Sequence, residues 1–426
     1  MHIDGKVTGF EDISTVVKKV SVEIPWAEVQ KETNDAYKKL QKQVNVRGFR
    51  QGKVPRAILE KQYGDAIRHE TVQELAAHFL EHYLEDQKII PVAPPVIESH
   101  KYNEGESLEF AARIEIRPTV ELENYRGIEV SERAVEVSDA ELETELGRVR
   151  EAHAQVHPVE GRDVTQKGDL VFFEMAELKG GSELKKQSHT AELGDGRLNP
   201  ILEARLTGIK TGETLELELP SEKEGPKRFS VKVTEIKTKV LPELTDDFAR
   251  DMGQFADLGA LREEIRGRLL KGKEDKAGHE TEEELVKEII SSNPFAVPES
   301  MVNRQIEAFA ENFKRQFGIK DVNMEAFRSE MSARALYTVQ RALILDAVAK
   351  REGLEAGDED VEAEFQKIAK ENNRNAMWVR AQYEKEGMIE DLKYMLRERK
   401  VVDFLIREAK KVQKAVEAPK AEAKAE

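Results

Sequence analysis

The sequence contains no cysteine, which rules out disulfides, iron–sulfur ligation and cysteine-based zinc sites. Aromatic residues are scarce at 6%, against 35% charged residues, a balance that fits solvated helix faces better than a compact, aromatic-cored enzyme. No apolar run approaches the roughly 20 residues of a transmembrane helix. The opening stretch MHIDGKVTGFEDISTVVKKVSVEIPWAEVQ also lacks the apolar core of roughly 7 to 15 residues that marks a signal peptide. The expectation is a soluble, cytoplasmic protein with no membrane partner. Positive charge is in deficit too: 67 Lys and Arg face 83 Asp and Glu, for a net charge of −16. Delocalised binding to nucleic acid needs a basic face, so any RNA contact must be confined to a patch.

What is present points to several domains, since 426 residues exceed a single core and a prior of roughly 150 residues per domain gives about three. Up to residue 117 strands and helices mix. STVVKKVSVEIP alternates as a half-buried strand, Trp26 to Val44 has helical spacing, and a second helix is expected from about Asp65 after Gly64. SLEFAARIEIRP returns as a strand. Residues 118–155 are acidic and read as a connector spanning distance. Residues 156–240 switch to short strands punctuated by turns (DLVFFEMAEL, KGGSE, HTAEL, GDGR, TLELELP, FSVKVTEIK), the pattern of a small antiparallel, barrel-like domain. Residues 241–413 are helical, with Val302, Ile306, Phe309, Phe313 and Phe317 on one face. The last segment, 414–426, is low-complexity and expected to be disordered. The fold class is therefore multidomain α+β.

Several fragments imitate catalytic motifs. His78-Phe79-Leu80-Glu81-His82 matches H-x-x-E-H, but no third ligand is indicated and an amphipathic helix explains it more simply. His153 and His157 share the spacing, and the same simpler explanation applies to them. In the run Gly267 to Glu274 the glutamate stands where a phosphate loop needs Ser or Thr, and Gly48 to Lys53 fails likewise. GDGRLN lacks the third glycine of a dinucleotide fingerprint and reads as a turn. No metal and no cofactor is expected.

One stretch runs against the overall charge. Lys38 to Arg56 holds seven Lys or Arg and no Asp or Glu. Within it Gly48 and Gly52 permit tight turns, Pro55 suits the start of a helix, and Phe49 is presented beside Arg50. An exposed aromatic flanked by arginine has the composition of a binding hot spot, although an ordinary solvated loop between helices accounts for the same residues.

Gly48-Phe49-Arg50-Gln51-Gly52-Lys53-Val54-Pro55 resembles the signature of bacterial trigger factors, ATP-independent chaperones that bind the ribosome beside the exit tunnel. The likeness extends through the order of segments, including LPELTDDFA (241–249) and NPFAVPESMV (293–302). It implies an N-terminal α+β ribosome-binding domain, a small FKBP-like antiparallel β domain and a helical C-terminal chaperone domain. It also implies that the loop docks on a ribosomal protein and nearby ribosomal RNA of the large subunit. Gln51 stands where many relatives carry lysine, which is expected to weaken that contact. Nascent and unfolded polypeptides are the implied clients, with Met301, Phe309, Phe313 and Phe317 as candidate contacts or, alternatively, simple core. Self-association of free copies into homodimers and links to protein export and cell division are implied as well.

The middle segment is similar to FKBP-type peptidyl-prolyl cis-trans isomerases, with departures. Relatives line the proline pocket with Ile-Pro-Gly-Phe-Glu; here the run is Asn199-Pro200-Ile201-Leu202-Glu203, and Glu174-Met175 replace the usual Asp-Phe, while Phe229 is retained. Isomerisation must lower a barrier of ~20 kcal/mol by holding the twisted amide in a dry cleft, so a degraded lining implies reduced activity. Two further alternatives are a protein whose main output is isomerisation and an RNA-binding regulator using the basic loop.

Overall fold

The computed structural model describes residues 3–413 apart from 133, 180, 181, 221–224 and 254. The expected disordered tail, 414–426, lies outside the described residues, as do parts of KGGSE and of the connection after TLELELP. The chain forms two compact units: Met1–Glu132 with His279–Glu426, and Arg133–Gly278. Residues 1–117 and the helices after His279 therefore share one unit.

The first unit begins with β1 (Lys6–Asp12), β2 (Val17–Ile24), α1 (Trp26–Gln43), α2 (Arg56–Asp86), β3 (Val96–Lys101) and β4 (Leu108–Glu115). The strands form an antiparallel sheet in the order β1-β2-β4-β3. Alternation in β2 and β4 turns Val20, Val22, Ile24, Phe110, Ala112 and Ile114 onto one face, where α2 lays Val72, Leu75, Leu80 and Leu84. The edge strands β1 and β3 are mostly exposed and carry little alternation, which hid them in the sequence. The break expected at Gly64 does not occur, because α2 runs through it for 31 residues. Gly64 is buried, and a Cβ there would lie 3.7 Å from Tyr37 Oη of α1, so packing between the two helices outweighs glycine's ~1 kcal/mol propensity cost.

The second unit contains α3 (Asp139–Ala152), β6 (Gln155–Pro158), β7 (Asp169–Lys179), β8 (Ser182–Glu183), β9 (Gln187–Glu192), α4 (Pro200–Leu206), β10 (Thr214–Leu219), β11 (Lys227–Val240), α5 (Asp246–Asp251) and the first part of α6 (Leu258–Ser292). Its antiparallel sheet runs β10-β11-β7-β8, with β9 also on β7 and β6 on β11. Val171, Phe173, Leu193, Leu206, Val231 and Val233 form its core. A separate core joins Leu142 and Leu146 of α3 to Phe248, Ala249, Leu261 and Ile265.

The first unit resumes with the end of α6, then α7 (Glu299–Phe317), α8 (Met324–Glu352), α9 (Asp358–Glu371), α10 (Ala376–Glu386) and α11 (Ile389–Glu408). A last strand, β12 (Lys410–Gln413), pairs in parallel with β5 (Glu129–Glu132). Leu285, Ile289, Ile344, Val348, Val401 and Leu405 form the helical core, and Leu122, Tyr125 and Val130 pack into it. The stretch 118–155, expected as a connector, is thus built into cores: its first half here, its second half as α3. No helix among the described residues is long and apolar enough to cross a membrane.

Candidate functional site

The basic loop hangs between α1 and α2 on a braced base. Val46 and Val54 are buried with Ala36, Tyr37, Leu59 and Ile67. The Gly52 N–H donates to the Gln41 carbonyl at 3.1 Å, and Gln41 Nε2 donates to the Val54 carbonyl at 2.7 Å. Inside the loop the Phe49 N–H donates to the Val46 carbonyl at 3.1 Å and the Lys53 N–H to the Arg50 carbonyl at 2.9 Å. Gly48 and Gly52 have φ of +93° and +78°, so the turns demand glycine for backbone reasons.

This frame presents a tip of mixed chemistry. Phe49 is 39% exposed, and Arg47, Arg50, Gln51 and Lys53 are exposed around it. Among the described residues Arg47, Arg50 and Lys53 make no ion pair, whereas Arg56 at the base is held by Glu60 at 2.6 Å and lies 4.8 Å over the Tyr37 ring. Burial, then the Glu60 charge, push the Tyr37 hydroxyl above its usual pKa. Gln51 Nε2 donates to the Lys42 carbonyl at 3.1 Å, so this residue braces the loop. The structure adds Gln41 at the base and Arg47 at the tip to the residues that the sequence singles out. Gln41 gave no signal, since its partner lies 13 residues away.

The candidate isomerase residues divide. Met175, Leu202 and Phe229 meet in the core of the β domain, where Leu202 is only 5% exposed. Glu174 lies between the inward residues Phe173 and Met175 and opposite Lys232, on the other face of the sheet. Asn199 caps α4, its Oδ1 accepting from the Ile201 N–H at 3.0 Å. The short α4 gave no signal in the sequence because seven residues are too few to display a period.

The apolar stripe on α7 divides as well. Val302, Ile306 and Phe309 pack against Phe327 and Ala335 of α8, and Arg334 lies 5.5 Å over the Phe309 ring. Met301 is half-buried. Phe313 and Phe317, with ring centroids 4.7 Å apart, remain 38% and 59% exposed. Met377 and Trp378 at the start of α10 are exposed too, a feature for which the sequence offered no periodic signal. His78 and Glu81 are exposed on α2, and no group of three or more His, Asp or Glu among the described residues is placed to hold a metal. The segment Gly267 to Glu274 is part of α6.

Comparison with known proteins bears on these features. A family described as bacterial trigger factor protein matches residues 7–149, and one described as its C-terminus matches residues 257–407. The trigger factor of Geotalea uraniireducens is 31% identical over 419 residues, covering 94% of this chain and 97% of that protein. That of Halalkalibacterium halodurans is 31% identical, covering 92% and 96%. A solved chain from work on promiscuous substrate recognition by the trigger factor chaperone aligns over 94% of this chain and 99% of its own, at 19% identity and a TM-score of 0.46. With identity sustained over nearly its whole length and a family match towards each end, the chain belongs to the bacterial trigger factor family.

Proposed function

We propose that the chain acts as an ATP-independent cytoplasmic chaperone that docks beside the ribosomal exit tunnel through residues 47–53 and shields apolar segments of nascent polypeptides. The observation that carries this reading is the tip of the basic loop: an exposed Phe49 among three cations that no carboxylate among the described residues neutralises, on a base fixed by Gln41, Val46 and Val54. Phe49 fills an apolar pocket on a ribosomal protein, and Arg47, Arg50 and Lys53 meet acidic side chains or RNA phosphates without breaking an ion pair of their own. The remaining negative charge leaves this loop as the point of engagement.

Clients meet exposed apolar side chains such as Phe313, Phe317, Met377 and Trp378. Weak contacts suffice, because tethering at the exit supplies local concentration. Free copies self-associate through the same surfaces. Prolyl isomerisation is a minor activity at most: Leu202 is core, Asn199 is spent on a helix cap and Glu174 faces away from Met175 and Phe229.

The test is co-sedimentation with vacant ribosomes, over a salt series, of the native chain and of the combined Phe49→Ala, Arg50→Ala, Gln51→Ala variant. The variant is expected to bind at least about thirtyfold more weakly and still to suppress aggregation of an unfolded client. Undiminished binding would overturn the role of the loop. Equal affinity of the native chain for protein-free ribosomal RNA would favour an RNA-binding regulator instead.

A further inference from the structure

Helix α7 starts without a side-chain cap of its own. Its N-cap residue is Pro298, whose carbonyl accepts from the Met301 N–H but whose side chain offers no acceptor, so the N–H groups before Met301 need partners from elsewhere. One partner comes from a distant part of the sequence: Glu115, the last residue of β4, accepts a hydrogen bond from the Ser300 N–H at 2.9 Å. Glu115 is only 7% exposed, and its other oxygen lies 3.4 Å from Arg113 Nη2. A buried carboxylate is costly unless charge or dipoles compensate, and the positive end of a helix does so.

Two contacts flank this one. Arg304, one turn further along α7, donates to the Val92 carbonyl at 2.7 Å, and the Val92 N–H donates to the Glu115 carbonyl at 2.9 Å. Arg117, two residues beyond Glu115, pairs with Asp346 of α8 at 2.8 Å; Lys350 and Arg397 also hold Asp346, each at 2.9 Å. The end of β4 therefore grips both helices of the hairpin whose outer part carries Phe313 and Phe317.

We infer that Glu115 is a positioning residue: supplied from the sheet, it caps α7 and so fixes the α7–α8 hairpin relative to the sheet and helices that carry the basic loop. The loop and the apolar tip are thereby held at a set spacing. That this spacing serves nascent chains rests on the proposed chaperone function; the cap itself does not.

The absence of cysteine makes the full-length chain suited to site-specific labels. Dyes at Glu104→Cys and Lys320→Cys, both exposed positions, report the distance between the β3–β4 turn and the end of α7 by energy transfer. The native background is expected to give one narrow distance distribution. Glu115→Ala should broaden it and speed exchange of the Ser300 amide about tenfold, at unchanged helix content. Glu115→Gln, which keeps an oxygen but loses the charge, should fall between. Ser300→Ala should change neither readout, because the buried Ser300 hydroxyl has no hydrogen-bond partner among the described residues. A narrow distribution and unchanged Ser300 exchange in Glu115→Ala would overturn the inference. Should that variant fail to fold, native behaviour of both Glu115→Gln and Arg304→Ala would overturn it equally. Ribosome binding by these variants is expected to be unaffected, and failure of the native chain to co-sediment would remove the docking reading while leaving the distance measurement standing.

Discussion

Among individual residues, a buried asparagine ties distant segments of the helical body together. Asn293, in the NPFAVPESMV run, is 4% exposed, and its side chain makes four hydrogen bonds among the described residues. Its Oδ1 accepts from the Glu123 and Asn124 N–H groups at 2.7 and 3.3 Å, and its Nδ2 donates to the Asn124 and Ile289 carbonyls at 3.0 and 2.8 Å. It thereby fastens the chain leaving the N-terminal sheet to the end of α6. Asn293→Leu strands those backbone groups in a buried setting and is expected to cost about 3 kcal/mol, measured by denaturant unfolding. The run was conspicuous in the sequence, but the reason for its asparagine was not, since its main partners lie some 170 residues away. Phe49 is the contrasting case. Two glycines beside an aromatic already imply an exposed tip, because the constraint is local.

Among the elements, α3 shows how a surface helix is held by charge. Ser138 and Glu141 form a reciprocal capping box, and Lys273 of α6 meets Glu141 at 2.6 Å. The Lys273 ammonium first, then the Ser138 backbone and hydroxyl, lower the Glu141 pKa from 4.5 to about 2. A lowered carboxylate pKa means that the unfolded chain binds the proton more readily. The stabilisation is therefore complete above pH 4.5 and disappears as pH falls towards 2. Amide exchange in α3 should accelerate across that window in the native chain, and less so in Glu141→Gln or at high salt, which screens an exposed pair. The Lys273 partner lies 132 residues from Glu141, so only the fold brings the two together.

For the molecule as a whole, the proposed division of labour separates the activities by variant. Refolding limited by prolyl isomerisation is expected to proceed at its uncatalysed rate in the presence of the chain, measured with a proline-containing peptide or a slow-folding protein. Suppression of aggregation should survive in that same preparation. Phe313→Ser with Phe317→Ser should lower client affinity about thirtyfold, since covering the exposed part of each ring contributes about 1 kcal/mol, and should leave ribosome binding unchanged. Clear catalysis of isomerisation would instead show that Met175 and Phe229 suffice without an aromatic at Leu202.

Elements whose information is local were legible in the amino-acid order: the alternating strands β2, β4, β7 and β11, the helical periodicity of α7, and the loop with Phe49 at its tip. Hydrophobic period and turn chemistry are written within a few residues, so no partner is needed to read them. What each pattern is for emerged from the packing of distant segments. That packing carries α2 through Gly64 against Tyr37, builds the supposed connector into cores, and leaves Phe313 and Phe317 uncovered where Phe309 is packed. It also brings Glu115 to the start of α7. One cause is common to all of these: burial and hydrogen-bond satisfaction depend on which remote stretches come together, and a one-dimensional pattern does not encode that by proximity.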